Sequence, residues 1–133
     1  MGNIVQALID LTHAIDVDGT KSGVYYLNRA SLLMEERYWP EAIVDLNHAV
    51  AESKETSFKI HFRALCARGK TRAKMDQVPS AIKDFQEAIL CDGDSPIGYN
   101  HLGLLLYSVI YLFEIVFKLF NKLFVEKRIS ASF

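Results

Sequence analysis

The chain has 133 residues, enough for one domain with a modest core. It carries 15 basic and 16 acidic side chains, for a net charge of −1, so no overall field attracts nucleic acid. The two cysteines have no paired spacing, which favours reduced thiols and a cytoplasmic location over a disulfide framework.

A nine-residue pattern of Ala, apolar, any, Asp, apolar, any, any, Ala, apolar occurs at residues 7–15, 42–50 and 81–89. The copies start 35 and 39 residues apart, a period typical of helical solenoids. The spacing of the apolar residues within each copy predicts an amphipathic helix. Because alanine lies at both ends of the apolar stripe, a neighbouring helix can approach closely there. The alanines that we expect to be almost completely buried are Ala42, Ala49, Ala81 and Ala88.

Proline and glycine mark the ends of these helices. Pro40 and Pro79 precede the first alanine of their copies by two residues, a position that fits the first turn of a helix. Gly19 and Gly93 follow the first and third copies, and we expect them to end those helices in the left-handed conformation.

A further helix is predicted ahead of the second and third copies, and its pattern begins again at Tyr99 with Leu102-Gly103 and Leu106. With Ala81 and Phe85 in the other helix, these residues resemble the tetratricopeptide repeat (TPR). The resemblance implies an all-α solenoid of antiparallel helix pairs, with about two full repeats flanked by partial ones. The repeat domain would span residues 1–107, with units at 5–19 (partial), 22–54, 57–93 and 96–107 (partial).

Residues 108–133 depart from the repeat and predict a long hydrophobic C-terminal helix. Its polar residues share one side and leave a broad apolar arc, so this helix is either covered by protein, laid on a membrane surface or inserted across a membrane. Because solenoids normally end in a polar cap, we expect self-association, partner capture or membrane adsorption through residues 108–126. The aromatic residues on the arc are Phe113, Phe117, Phe120 and Phe124.

No catalytic or metal-binding constellation is recognisable, so we expect a protein that is not an enzyme and needs no cofactor. His13 and His48 occupy equivalent positions in two copies, without the further ligands that a zinc site requires. The aspartate of each copy is expected to be structural and to pair with an arginine of a neighbouring helix. The residues concerned are Asp10, Asp45 and Asp84, with Arg29 or Arg68 as partners.

Residues 59–74 contain six basic and no acidic side chains. On a helix, Arg63, Lys70 and Lys74 fall within about 40° of one another. In TPR proteins the first helices of successive repeats line a concave groove, so the resemblance implies that this stripe binds an anionic peptide. The alternative is a solvated basic face of a scaffold helix. The same register adds Asn28, Ser31, Asn100 and His101 to the groove.

The best-known TPR ligands are the C-terminal tails of cytosolic chaperones, which are held by Lys/Arg and Asn at set positions. Those positions hold Leu27, Ser31, Ala67, Ile97 and His101 here, so chaperone-tail binding is disfavoured. The resemblance instead implies an adaptor or scaffold that binds a protein or peptide. The alternatives are a membrane-associated TPR protein anchored by its C-terminal helix, and a truncated form of a longer TPR protein.

Overall fold

A computed structural model describes residues 2–19 and 22–132. Met1, Thr20, Lys21 and Phe133, which fall within the predicted segments 1–107 and 108–133, lie outside the described residues. The helices of the described part are α1 (Gly2–Val17), α2 (Ser22–Glu35), α3 (Trp39–Ser53), α4 (Phe58–Lys74), α5 (Val78–Cys91) and α6 (Pro96–Ser132).

Consecutive helices pack against each other from α1 to α5, and α2 also meets α4. Because the turns between packed neighbours are short, these helices run antiparallel. The α2–α3 and α4–α5 pairs are the two full repeats. The predicted all-α solenoid of helix pairs is confirmed.

The helix starts follow the sequence. Pro40 and Pro79 lie in the first turns of α3 and α5, as predicted. Ser57 caps α4, and its hydroxyl accepts a hydrogen bond from the Ile60 amide at 3.4 Å.

The prediction of left-handed Gly19 and Gly93 is wrong, because no glycine in the described residues has a positive φ. The left-handed residues are Arg37 (φ 62°) and Asp76 (φ 59°), which lie in the turns inside the two repeats.

These turns explain why the left-handed conformation falls there. After α2, the Arg37 amide donates to the Met34 carbonyl at 3.0 Å and the Tyr38 amide donates to the Leu33 carbonyl at 2.8 Å. The same two bonds recur after α4, from Asp76 and from the residue that follows it. This pair of bonds is the Schellman motif, which requires a left-handed residue after the last helical turn. Because the chain reverses within three residues, the hydrogen bonds of this motif offset the strain of a left-handed residue other than glycine.

Small residues set the close approaches between helices. Ala42, Ala49, Ala81 and Ala88 are all 0% exposed, which confirms the predicted burial. Gly69 in α4 has the same role opposite Phe85, because a Cβ atom at residue 69 would lie 2.6 Å from the Phe85 ring.

One arginine–aspartate pair joins the two helices of each full repeat, as the sequence predicted for Asp45 and Asp84, whereas Asp10 accepts a hydrogen bond from Gln6 of its own helix. Arg29 donates to both carboxylate oxygens of Asp45 at 2.8 and 2.7 Å, and Arg68 donates to both of Asp84 at 3.1 and 2.8 Å. Arg72 adds a third bond to Asp84 at 2.9 Å. Since the Asp84 side chain is only 1% exposed, its charge depends on these partners.

The same arginines also reach the preceding repeat. Arg29 donates to the Thr12 hydroxyl at 3.1 Å, and Arg68 donates to the Asn47 side-chain oxygen at 3.2 Å. Thr12 and Asn47 occupy equivalent positions, 35 residues apart. Each guanidinium therefore ties three helices together.

Helix α6 runs through residues 107 and 108 without interruption. By its packing the chain divides into two compact units, residues 1–102 and 103–133. The second unit is helical, with exposed apolar side chains and three stacked aromatic pairs spaced i, i+4. By length and composition, the stretch of α6 from residue 96 to residue 131 is sufficient to cross a membrane, because an 18-residue segment within it has a mean hydropathy of 1.9.

Candidate functional site

Two neighbouring cavities open beside the basic helix α4. The larger, which we call the Trp39 cavity, has a volume of about 410 Å³ and lies where α2 and α4 face each other. Its floor is mainly apolar, and Lys70 and Lys74 stand one helical turn apart on its α4 wall. The residues that line it are Ser31, Met34, Glu35, Trp39, Ala67, Lys70 and Lys74.

The smaller, which we call the His101 cavity, has a volume of about 220 Å³ and also reaches the first turns of α6. It shares Ser31, Ala67 and Lys70 with the Trp39 cavity, so the two form one groove across α2, α4 and the start of α6. The residues that line it are Leu27, Ser31, Phe62, Arg63, Cys66, Ala67, Lys70, Ile97 and His101.

The structure brings together most of the residues predicted to line the groove. Arg63 and His101 line the His101 cavity, Lys74 lines the Trp39 cavity, and Ser31 and Lys70 line both. The other two predicted residues, Asn28 and Asn100, are exposed and line neither cavity.

The residues Met34 and Trp39, which form part of the apolar floor of the groove, were not predicted from the sequence. Met34 follows Ser31 by three residues on α2, a spacing that places both side chains on one face, so helical periodicity could have identified it. Trp39, the single tryptophan of the chain, begins α3 rather than a first helix of a repeat. No signal in the repeat pattern places a residue of that helix in the groove.

The groove carries more basic than acidic side chains. Arg63 and Lys70 are exposed, as is Lys74, while Glu35 lies on the opposite side of the Trp39 cavity. The His101 ring stacks on Phe85 with the ring centroids 5.5 Å apart. Burial, and to a smaller extent the charge of Lys70, lower the pKa of His101, which favours the neutral form of its ring.

The groove has no activated nucleophile. Burial raises the pKa of the Cys66 thiol to about 11, which keeps this side chain protonated and unreactive. Within residues 2–19 and 22–132, no group of three His, Cys, Asp or Glu side chains could hold a metal ion. The arrangement suits binding by charge and shape.

Comparisons with solved structures show the fold. The Arabidopsis OM64 TPR domain matches with a TM-score of 0.69 and 22% identity, covering 80% of this chain and 84% of that one. The first TPR of Spaghetti (RPAP3), bound to the HSP90 peptide SRMEEVD, matches with a TM-score of 0.71 and 23% identity, covering 82% of each chain. Because both of these structures are TPR domains, the chain has the fold of tetratricopeptide-repeat proteins. No protein-family model matches the sequence, and neither does any curated protein.

Proposed function

We propose that the chain is a non-enzymatic interaction module that binds a peptide or helix of a partner protein in the groove. The observation that carries this proposal is the continuity of the Trp39 and His101 cavities, which share Ser31, Ala67 and Lys70. A continuous groove with an apolar floor and polar edges suits an extended or helical segment.

We further propose that the ligand is anionic. Three cations, Arg63, Lys70 and Lys74, contribute to one groove, whereas Glu35 is the acidic residue that lines it. The similar RPAP3 structure holds an acidic peptide, which supports a ligand of this class. Binding of chaperone tails themselves is disfavoured, because the five positions that such binding requires, from Leu27 to His101, carry no Lys or Arg.

Peptide binding can be measured by the fluorescence of Trp39, which is the single tryptophan of the chain and lines the groove. An array of acidic peptides supplies the ligands. The triple change Arg63→Glu, Lys70→Glu and Lys74→Glu should weaken binding at least tenfold, and added salt should weaken binding to the unaltered chain.

The matched control reverses three exposed lysines that line neither cavity, Lys54, Lys59 and Lys83. This variant has the same change in net charge and should bind as the unaltered chain does. Equal, salt-insensitive binding by the groove variant would leave the basic stripe as a solvated face, and loss of binding in both variants would assign the effect to net charge alone.

We propose membrane attachment through residues 103–131 as a second function. The observation that favours it is the helix that is long and apolar enough to cross a membrane. Aromatic side chains along it, such as Phe113 and Phe120, are more than half exposed. At about 25 cal/mol per Å² of apolar surface, covering several such rings recovers several kcal/mol.

Flotation with phosphatidylcholine vesicles and sedimentation, each with and without residues 108–133, test the second function. The full chain should float with the vesicles. The shortened chain should remain in the bottom fraction, and its circular dichroism should show that the helices of the repeat unit are still formed. A chain that self-associates without floating would assign the helix to a second copy. A chain that remains monomeric and does not float with vesicles would contradict both membrane attachment and self-association through this helix. The free thiols Cys66 and Cys91 favour a reducing, cytoplasmic side for the repeat unit.

A further inference from the structure

The groove continues beyond the Trp39 cavity into a third cavity, which we call the Arg37 cavity. It has a volume of about 380 Å³ and reaches the turn between α2 and α3. It shares Met34, Glu35, Trp39 and Lys74 with the Trp39 cavity, so the two are continuous. The residue that it adds is Arg37, whose side chain is exposed. The groove therefore has a basic residue beyond those of α4.

The three cavities follow one another along two helices. On α4, the lining residues fall at 62–70 for the His101 cavity, at 67–74 for the Trp39 cavity and at 74 for the Arg37 cavity. On α2 they advance in the same order, from residue 27 to residue 35. Because α2 and α4 both run antiparallel to α3, they run in the same direction. The groove is thus a furrow that follows these two helices lengthwise.

Cations lie at both ends of the furrow, on either side of its mainly apolar middle. Arg63 and Lys70 line the His101 cavity, and Arg37 and Lys74 line the Arg37 cavity. Within residues 2–19 and 22–132, Glu35 is the acidic side chain that lines the three cavities, so the cations are in excess at each end. Arg63 and Lys74 are eleven residues apart on one helix, which separates the two ends by about 16 Å.

The size of the cavities favours an extended ligand over a helical one. A helix about 16 Å long and 10 Å wide would occupy roughly 1,300 Å³, whereas the largest cavity has about 410 Å³. An extended chain rises about 3.3 Å per residue and points every second side chain to the same face. Side chains at i, i+2 and i+4 therefore span about 13 Å, and the long arginine and lysine side chains reach the remaining distance.

We propose that the furrow selects an extended segment of a partner protein with the order acidic, any, bulky apolar, any, acidic. This inference rests on the proposed function, because it names the ligand of the same groove. The apolar side chain fills the Trp39 cavity. One carboxylate binds Arg63 and Lys70, and the other binds Arg37 and Lys74. All these contacts are made by side chains, so the segment needs no free chain terminus.

Two peptides of identical composition test the order. The first is acetyl-Gly-Ser-Asp-Ser-Leu-Ser-Asp-Ser-Gly-amide, and the second is acetyl-Gly-Ser-Asp-Asp-Ser-Ser-Leu-Ser-Gly-amide. Titrated into the full chain, the first should bind at least tenfold more tightly than the second. It should also shift the fluorescence of Trp39 to shorter wavelength, because leucine displaces water from the cavity. Equal binding of the two peptides would overturn the proposed spacing.

A cycle of substitutions tests the two ends separately. Arg37→Asn removes the charge and suits the left-handed conformation of this residue, and Arg63→Gln removes the charge at the other end. Each variant should bind the first peptide at least fivefold more weakly. Each should lose this effect with one of the two peptides in which a single aspartate is replaced by asparagine, and the aspartate should differ between the variants. The control is Lys83→Gln, an exposed residue that lines none of the three cavities and should leave binding unchanged.

The outcomes separate this inference from the proposed function. Coupling of Arg37 and Arg63 to the same aspartate, or unchanged binding by Arg37→Asn, would overturn the inference. Acidic peptides that bind regardless of spacing, and lose binding when Arg63, Lys70 and Lys74 are reversed, would overturn it while supporting the proposed function. If no acidic peptide binds the full chain, an anionic ligand and this inference are both refuted.

Discussion

Gly69 and Phe85 offer a sharp test of how the repeats pack. In Gly69→Ala, the new Cβ would lie 2.6 Å from one ring carbon of Phe85 and 2.9 Å from two others. Phe85 is 2% exposed and stacks against His101, so its ring cannot move without displacing its neighbours. Overpacking of this severity costs about 3 kcal/mol, the upper end of the usual range. Replacing a helical glycine by alanine returns about 1 kcal/mol, so the net loss should be about 2 kcal/mol.

The preceding repeat supplies the rescue. There the equivalent pair is Ala30 with Leu46, and both are fully buried in one cluster. Phe85→Leu alone should cost about 1 kcal/mol, as a moderate change of volume does. The double variant Gly69→Ala/Phe85→Leu reproduces the natural pair, so it should be more stable than Gly69→Ala alone.

Urea unfolding followed by circular dichroism measures each term. With a slope of about 2 kcal/mol per molar urea, Gly69→Ala should lower the midpoint by about 1 M. The double-mutant cycle should show a favourable coupling of up to about 3 kcal/mol, the overpacking that Phe85→Leu relieves. A Gly69→Ala chain that is more stable than the original, or two changes that simply add, would refute the close approach as the reason for glycine.

Four further predictions follow from the described residues. Asp84→Asn should destabilise the chain by about 3 kcal/mol because it leaves two arginines poorly paired. Asp10→Asn on the exposed face of α1 should change the stability by less than about 0.5 kcal/mol, and the urea midpoints of the two variants test this difference. Ala81→Leu should overpack a fully buried site by about 1–3 kcal/mol, and an unchanged midpoint would show that the interface is loose. Arg37→Gly should raise the free energy of unfolding by up to about 1 kcal/mol, and so raise the urea midpoint, because glycine adopts the left-handed conformation without strain. The pKa of His101 is lower in the folded chain than in the unfolded chain, so the unfolded chain binds a proton at this residue more tightly. The stability should therefore fall as the pH falls from 7.5 to 5.5, and the fall should be smaller in His101→Gln.

The repeat pattern was sufficient to predict which alanines are buried and which residues pair with Asp45 and Asp84. Alanines at a fixed spacing mark the close approaches, and these two aspartates bind arginines on the preceding helix, whereas Asp10 in the same register binds Gln6. The pattern did not predict the second partner of Asp84, since Arg72 also donates to this carboxylate.

Features outside the repeat pattern were harder to predict. Left-handed Arg37 and Asp76 depend on how abruptly the chain must turn, which glycine positions do not show. The apolar floor of the groove depends on Trp39, which reaches it from a second helix. Such contacts arise from the three-dimensional stacking of units and leave no periodic trace in the sequence.

The arginines that bridge neighbouring repeats have a consequence for how the chain opens. When the second helix of one repeat detaches, the arginine of the next repeat loses the acceptor supplied by Thr12 or Asn47. Local opening therefore weakens the adjacent unit, and the two complete repeats should exchange their amide hydrogens as one cooperative block. Helix α1 gives an acceptor to this block, while its own Asp10 bonds within α1, so its amides should exchange before those of α2 to α5. The solenoid is thus expected to loosen from α1 inward.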